Sequence, residues 1–138
     1  MTTRAPLRLR TGAVTVLLGD DTARRAVLAD LDEGTARCHG GHGLPGVARL
    51  GFDHAVPASD RARSVADRSG FAVLLADRPT AGLDAAGRRI VLRALQEAAR
   101  SGTAVLVDDV DPVAALAVAD SAVRVGADGS VRADDLLL

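Results

Sequence analysis

The stretch FAVLLADRPTAGLD, Phe71–Asp84, decides the fold. Its apolar run is short, continuous and closed by Asp77, the pattern of a strand buried on both faces of a parallel sheet. A turn follows, and then a helix in AAGRRIVLRALQEAARSG (residues 85–102), where Ile90, Val91, Ala94, Leu95 and Ala98 recur at helical spacing and Gly102 supplies a stop. TAVLVDD (residues 103–109) is a second buried run. Strand, helix and strand together predict a right-handed crossover unit.

Outward from this unit the alternation continues. AVTVLLG (residues 13–19) predicts another buried strand, followed by a helix in DTARRAVLADLDEG, capped by Asp21 or Thr22 and closed near Gly34. DPVAALAVADS predicts a helix with Pro112 in its first turn, and SAVRVGADGSVRAD a hairpin turning at Asp128 and Gly129. In the middle, RCHGGHGLPG reads as a glycine-rich loop, VARLGFDHA as a fourth buried strand and SDRARSVADRSG as a short polar helix. The expected architecture is an α/β sandwich in one domain spanning residues 1–138.

Composition narrows the function. The net charge is −1 with charges spread along the chain, so there is no basic stripe to neutralise a nucleic-acid backbone. All 17 basic residues are arginine, and lysine, asparagine, tyrosine and tryptophan are absent, a bias that accounts for much of the arginine without functional selection. Cys38 is the single cysteine, which excludes an intramolecular disulfide. No apolar run is long enough to span a bilayer, and the expectation is a cytoplasmic protein without direct membrane insertion.

LLADRPTAGLDAAGRR resembles the second nucleotide motif and D-loop of ABC transporter nucleotide-binding domains, a P-loop ATPase family. There an apolar strand leads into Asp-Glu-Pro-Thr and a small-residue turn ending Leu-Asp. Pro79, Thr80, Gly82, Leu83, Asp84, Arg88 and Arg89 fall where that pattern puts such residues. LRTGAVTVLLG is similar to the lead-in to the phosphate loop, VADSAVRVGADGSVR to the C-terminal strand pair, and Arg61, Arg63 and Arg68 to arginines that follow the ABC signature. The resemblance implies a three-layer P-loop NTPase-like core with a mainly parallel sheet.

The reactive positions depart from that pattern. A phosphate loop needs glycines, a lysine for the terminal phosphates and a hydroxyl for Mg²⁺. Aligned from Gly19, this chain offers GDDTARRAV: Thr22 and Arg24 replace glycines, Arg25 the lysine, and Ala26 and Val27 the hydroxyls. Asp77 remains, but Arg78 stands where the family's catalytic glutamate activates water, and an arginine accepts no proton at working pH. The switch histidine and the Ser-Gly-Gly signature are missing, and Asp53 stands near the place of the glutamine that would contact Mg²⁺. Few residues separate Asp53 from Ser59, which leaves no room for the family's helical subdomain. Arg78 is left as a solvated side chain or as a partner of Asp77 or Asp109.

Other constellations are weaker. Cys38, His39 and His42, with Asp53 and His54 further on, hold zinc-binding residue types but match no closed site, and read as a loop with incidental histidines. Arg24 and Arg25 are candidate anion ligands at a helix start, against which stands the reading as solvated helix arginines. Asp108, Asp109 and Asp111, beside Asp77, gather at a strand's C-terminal end, as a Mg²⁺ or acid/base site or as helix caps.

The leading expectation is an ATPase-like domain without catalysis or cofactor, acting as a protein-interaction or assembly module through Thr80, Ala81, Gly82, Leu83 and Asp84. The family places this turn between two nucleotide-binding domains, so the partner is a second copy or an intact ATPase. The alternatives are a small enzyme using Asp77 with Asp108–Asp111, and a nucleotide or anion binder without hydrolysis at Gly19, Thr22, Arg24 and Arg25.

Overall fold

A computed structural model describes residues 7–31, 36–38 and 46–134. Their order is β1 (Leu7–Leu9), β2 (Val14–Gly19), α1 (Asp21–Asp30), β3 (Ala36–Cys38), β4 (Val47–Gly51), α2 (Ala58–Asp67), β5 (Val73–Asp77), α3 (Ala85–Arg100), β6 (Ala104–Asp108), α4 (Pro112–Ala115) with a 3₁₀ turn at Leu116–Val118, β7 (Ser121–Val125) and β8 (Val131–Asp134). Six strands form one sheet in the order β4-β5-β6-β2-β7-β8, parallel throughout except for β8, which returns antiparallel along β7. Strands β1 and β3 pair in parallel as a separate ribbon.

The central strands β2, β5 and β6 are apolar on both faces because both faces are covered, whereas β4, expected as a buried strand, is an edge strand that alternates, with Arg49 exposed. Val14, Val16, Leu18, Leu74, Ala76, Val105 and Val107 pack against Val65 of α2, Val91, Leu92 and Leu95 of α3 and Ala115 of α4. The opposite residues Leu17, Val73, Leu75, Leu106 and Val123 pack against Val27 and Leu28 of α1, Leu31 and Leu9. The result is three layers with the sheet in the middle, as continuous rather than alternating apolar runs require.

Some local expectations are corrected. Helix α1 is capped by Asp20, not Asp21 or Thr22. It ends at Asp30, where Leu31 turns extended, and the Arg49 guanidinium reaches across from β4 to donate to the Leu28 and Leu31 carbonyls, at 2.8 and 2.5 Å. Gly34 lies outside the described residues. The buried face of α3 is Val91, Leu92, Leu95, Ala98 and Ala99, while Ile90 is 48% exposed. The expected helix after Pro112 is a single α-turn that tightens to 3₁₀, and Ala36–Cys38 are extended where a loop is expected from Arg37 onward. His39 and His42 lie outside the described residues.

Candidate functional site

Parallel strands deliver their C-terminal ends to one edge, where open α/β sheets bind ligands. Here the register sets Gly51, Asp77 and Asp108 abreast, and Gly19 beside Val125.

Strand β2 passes into α1 through Asp20 alone. The Asp20 carboxylate accepts from the Ala23 amide at 2.9 Å, and its carbonyl accepts from the Arg24 amide at 2.8 Å. A carboxylate of the chain itself therefore sits on the helix start that would otherwise attract an anion. Gly19 has a separate steric cause: at φ 109° an added Cβ would stand 2.1 Å from the Val125 carbonyl oxygen. Thr22 and Arg25 are exposed.

Arg24 is neither a solvated helix arginine nor turned towards a ligand. It is 4% exposed, and its guanidinium donates to the Asp21 carboxylate at 2.9 Å and the Asp109 carbonyl at 3.3 Å. Its Nη1 also lies 3.3 Å from Oδ1 of Asp108, a residue 2% exposed. Burial pushes the Asp108 carboxyl up to about 6; Arg24 opposes that rise, and the carboxylates of Asp77 and Asp21 add to it. The one-turn spacing of Asp21 and Arg24 on α1 and the strand end at Asp108 bring a local pair together with a carboxylate far away in the sequence.

The remaining carboxylates point elsewhere. Asp109 is buried and accepts from the Thr80 hydroxyl at 2.7 Å, the Thr80 amide at 3.4 Å and the Val110 amide at 2.8 Å. Asp111 caps α4 through the Ala114 amide at 3.1 Å and lies 3.8 Å from Arg88. Asp77 sits half-buried beside Gly51. Three of the four carboxylates are engaged separately, Asp108 with Arg24, Asp109 with the turn and Asp111 with the start of α4, while Asp77 stands in register beside Asp108. Among the described residues no group of three His, Cys, Asp or Glu is placed to hold a metal ion.

The turn Thr80–Asp84 is held from below. Arg61 is 0% exposed and its guanidinium donates to the carbonyls of Pro79 (3.0 Å), Ala81 (2.8 Å), Val56 (2.9 Å), Asp53 (3.2 Å) and His54 (3.4 Å). Its carbon lies 5.5 Å from the centre of the Phe52 ring. Asp84 closes the turn by accepting from the Gly87 amide at 2.8 Å, capping α3. Of the five turn residues Thr80 and Ala81 are buried, Leu83 is half-buried, and Gly82 and Asp84 are exposed, with His54 against Gly82.

Arg78 pairs with neither Asp77 nor Asp109. Its amide donates to the Asp108 carbonyl at 2.7 Å, its guanidinium lies 3.9 Å from the Asp21 carboxylate, and its backbone is left-handed at φ 50°. Arg61 is the residue whose role sequence reasoning underrates. The available signal is that it shares a helical face with Val65, one turn on, whereas Arg63 is exposed.

No protein-family model matches the chain and no curated protein matches it in sequence. Solved structures do resemble it. The dimeric structure of a bacterial ABC transporter cassette superposes with a TM-score of 0.62 at 12% identity, over 95% of this chain and 88% of that one. The post-hydrolysis dimer of that cassette with ADP and Pi gives 0.65 at 12% identity, over the same 95% and 88%. The ATP-binding subunit of an ABC transporter gives 0.57 at 12% identity, over 91% and 80%. The chain thus has the fold of an ABC ATP-binding cassette, without the helical subdomain: only residues 52–57 connect β4 to α2.

Proposed function

We propose that this chain is a catalytically silent ABC-type domain that works as a protein-interaction or assembly module, with the turn Thr80–Asp84 as its contact surface. The observation that carries this reading is the double anchoring of the turn, by Asp109 on Thr80 and by Arg61 on Pro79 and Ala81. A rigid turn presenting Gly82 and Asp84 needs little ordering on association, which favours binding.

The chemistry of the neighbouring positions supports loss of catalysis. The guanidinium of Arg78 cannot act as a base. Arg24 is committed to Asp21, Asp108 and Asp109, and the Asp20 carboxylate covers the α1 start. ATP and Mg²⁺ are accordingly not its cofactors. The solved cassettes of the same fold include dimers, so the partner is a second copy or an intact cassette.

The test is sedimentation velocity of the chain alone and mixed with an intact ABC cassette, comparing the parent with Leu83→Ser and with Asp84→Ser, which keeps a capping oxygen. Association in the parent and its loss in both variants is expected. A parent that associates with neither itself nor a cassette, or variants that associate as the parent does, overturns the reading. Mg²⁺-dependent ATP hydrolysis by the parent would overturn the catalytic part.

A further inference from the structure

Helices α2 and α3 lead into β5 and β6, which are parallel neighbours, so the two helices run parallel to each other. They nearly touch at their starts, where a Cβ at Gly87 would stand 3.3 Å from the Ala58 Cβ. Small residues, Ala62 and Ala66 on α2 and Ala94 and Ala98 on α3, leave the seam between them low. The result is a cavity of about 480 Å³ with Arg63 on one rim and Ile90, Arg93 and Glu97 on the other. Five residues beyond the Ala58–Gly87 contact, Arg63 and Leu92 stand level, which sets Arg93 across the groove from Arg63.

The rims carry groups that their own chain does not use. Ile90 is 48% exposed beside a floor of alanine. Arg63, Arg93 and Glu97 are exposed, and none of their side chains makes a hydrogen bond or ion pair among the described residues. Arg93 and Glu97 lie one turn apart with the cation first, the less favourable order for pairing within one helix.

We infer that this groove is the contact face for a second copy of this chain, with the two α3 helices packed antiparallel about a two-fold axis level with Leu95. Arg93 and Glu97 each lie two residues from that level, so Arg93 of each copy meets Glu97 of the other. A two-fold contact needs one patch that is its own complement, and this stripe holds a cation and an anion at equal distances from its centre. Each incoming Glu97 falls between Arg63 and Arg93, and each Ile90 falls over the alanine floor of the other copy towards Ala98. The ion pairs fix register and orientation, and burial of Ile90 adds apolar contact. None of the groove's lining residues belongs to the Thr80–Asp84 turn. The inference goes beyond the assembly reading: it gives the second copy to α3 and leaves the turn to an intact cassette.

The experiment is sedimentation velocity in the Leu83→Ser and Asp84→Ser backgrounds, which remove the turn contact, with Arg93→Glu, Glu97→Arg or neither added. Unmodified α3 is expected to give a pair. Each reversal sets like charges face to face twice across the axis and should weaken the pair about tenfold or more. An equimolar mixture of the Arg93→Glu and Glu97→Arg chains should pair again, because positions 93 and 97 then face opposite charges once more. Both positions are exposed, so circular dichroism should show folded chains. Absence of a pair with unmodified α3 in both backgrounds, reversals that pair as the unmodified chain does, or a mixture that stays monomeric overturns the inference. Pairing only with an added intact cassette overturns the second copy as the occupant. The turn reading is tested by loss of cassette binding in Leu83→Ser, so the two fail separately.

Discussion

Arg24 and Asp108 form a buried ion pair across the C-terminal edge of the sheet, with Nη1 and Oδ1 3.3 Å apart. The contact lacks hydrogen-bond geometry: Asp108 Oδ1 and Arg24 Nε are both buried without a hydrogen-bond partner. Attraction without full hydrogen bonding leaves burial dominant, and the Asp108 carboxyl rises to about 6.

The sign of the resulting pH dependence follows by linkage. The folded state holds the Asp108 proton up to about 6, while the unfolded chain releases it near 3.8. The stability this group contributes is full below the lower value and is lost as pH rises through the higher one. Asp108→Asn removes that loss, so its stability relative to the parent should rise between roughly pH 4 and pH 6 and then level off. Urea denaturation followed by circular dichroism across this range checks it; a difference independent of pH would contradict the assignment.

Removal of the Arg61 guanidinium should be severe, because five carbonyl oxygens accept from it. Arg61→Ala is expected to cost at least about 3 kcal/mol, since each buried acceptor left unpaired costs about 1–3 kcal/mol. Arg61→Lys should remain well below the parent, because three ammonium donors on a point charge cannot replace a planar fork. Arg63→Ala, at an exposed position, serves as the control.

Arg78 is the one non-glycine residue with positive φ among the described residues. Arg78→Gly should stabilise the fold by about 0.5–1 kcal/mol, since a left-handed conformation costs an L-residue roughly 1–2 kcal/mol and glycine returns part of that gain as chain entropy. Its 3.9 Å approach to exposed Asp21 adds little in the parent. Arg78→Ala keeps the strain and should show no such gain in thermal denaturation.

Thr80→Val removes the hydroxyl that donates to Asp109 Oδ2 at 2.7 Å, leaving a buried carboxylate oxygen unpaired. A loss of about 1–3 kcal/mol is expected. Amide exchange at Ala81 and Leu83, whose amides close the turn onto Arg78 and Thr80, should quicken. Unchanged exchange there would show that Asp109 does not hold the turn.

The parts of this protein written locally are legible in its sequence. Apolar runs such as Val73–Ala76 and Ala104–Val107 become strands because a segment apolar on both faces needs cover on both, and Asp128 with Gly129 turns the hairpin where small backbone-bonding residues allow it. The motif Pro79–Asp84 likewise announces a turn and a helix start. What the sequence does not disclose is which of 17 arginines is structural. Arg24, Arg49 and Arg61 look like their neighbours until the fold carries each to carbonyls or carboxylates distant in the chain. The same holds for the carboxylates at the end of β6: one acidic run separates into an ion pair, a turn anchor and a helix cap. Tertiary structure alone decides this, because the partner of a buried charge is set by which strand ends meet at one edge of the sheet, and that order is not the order of the chain.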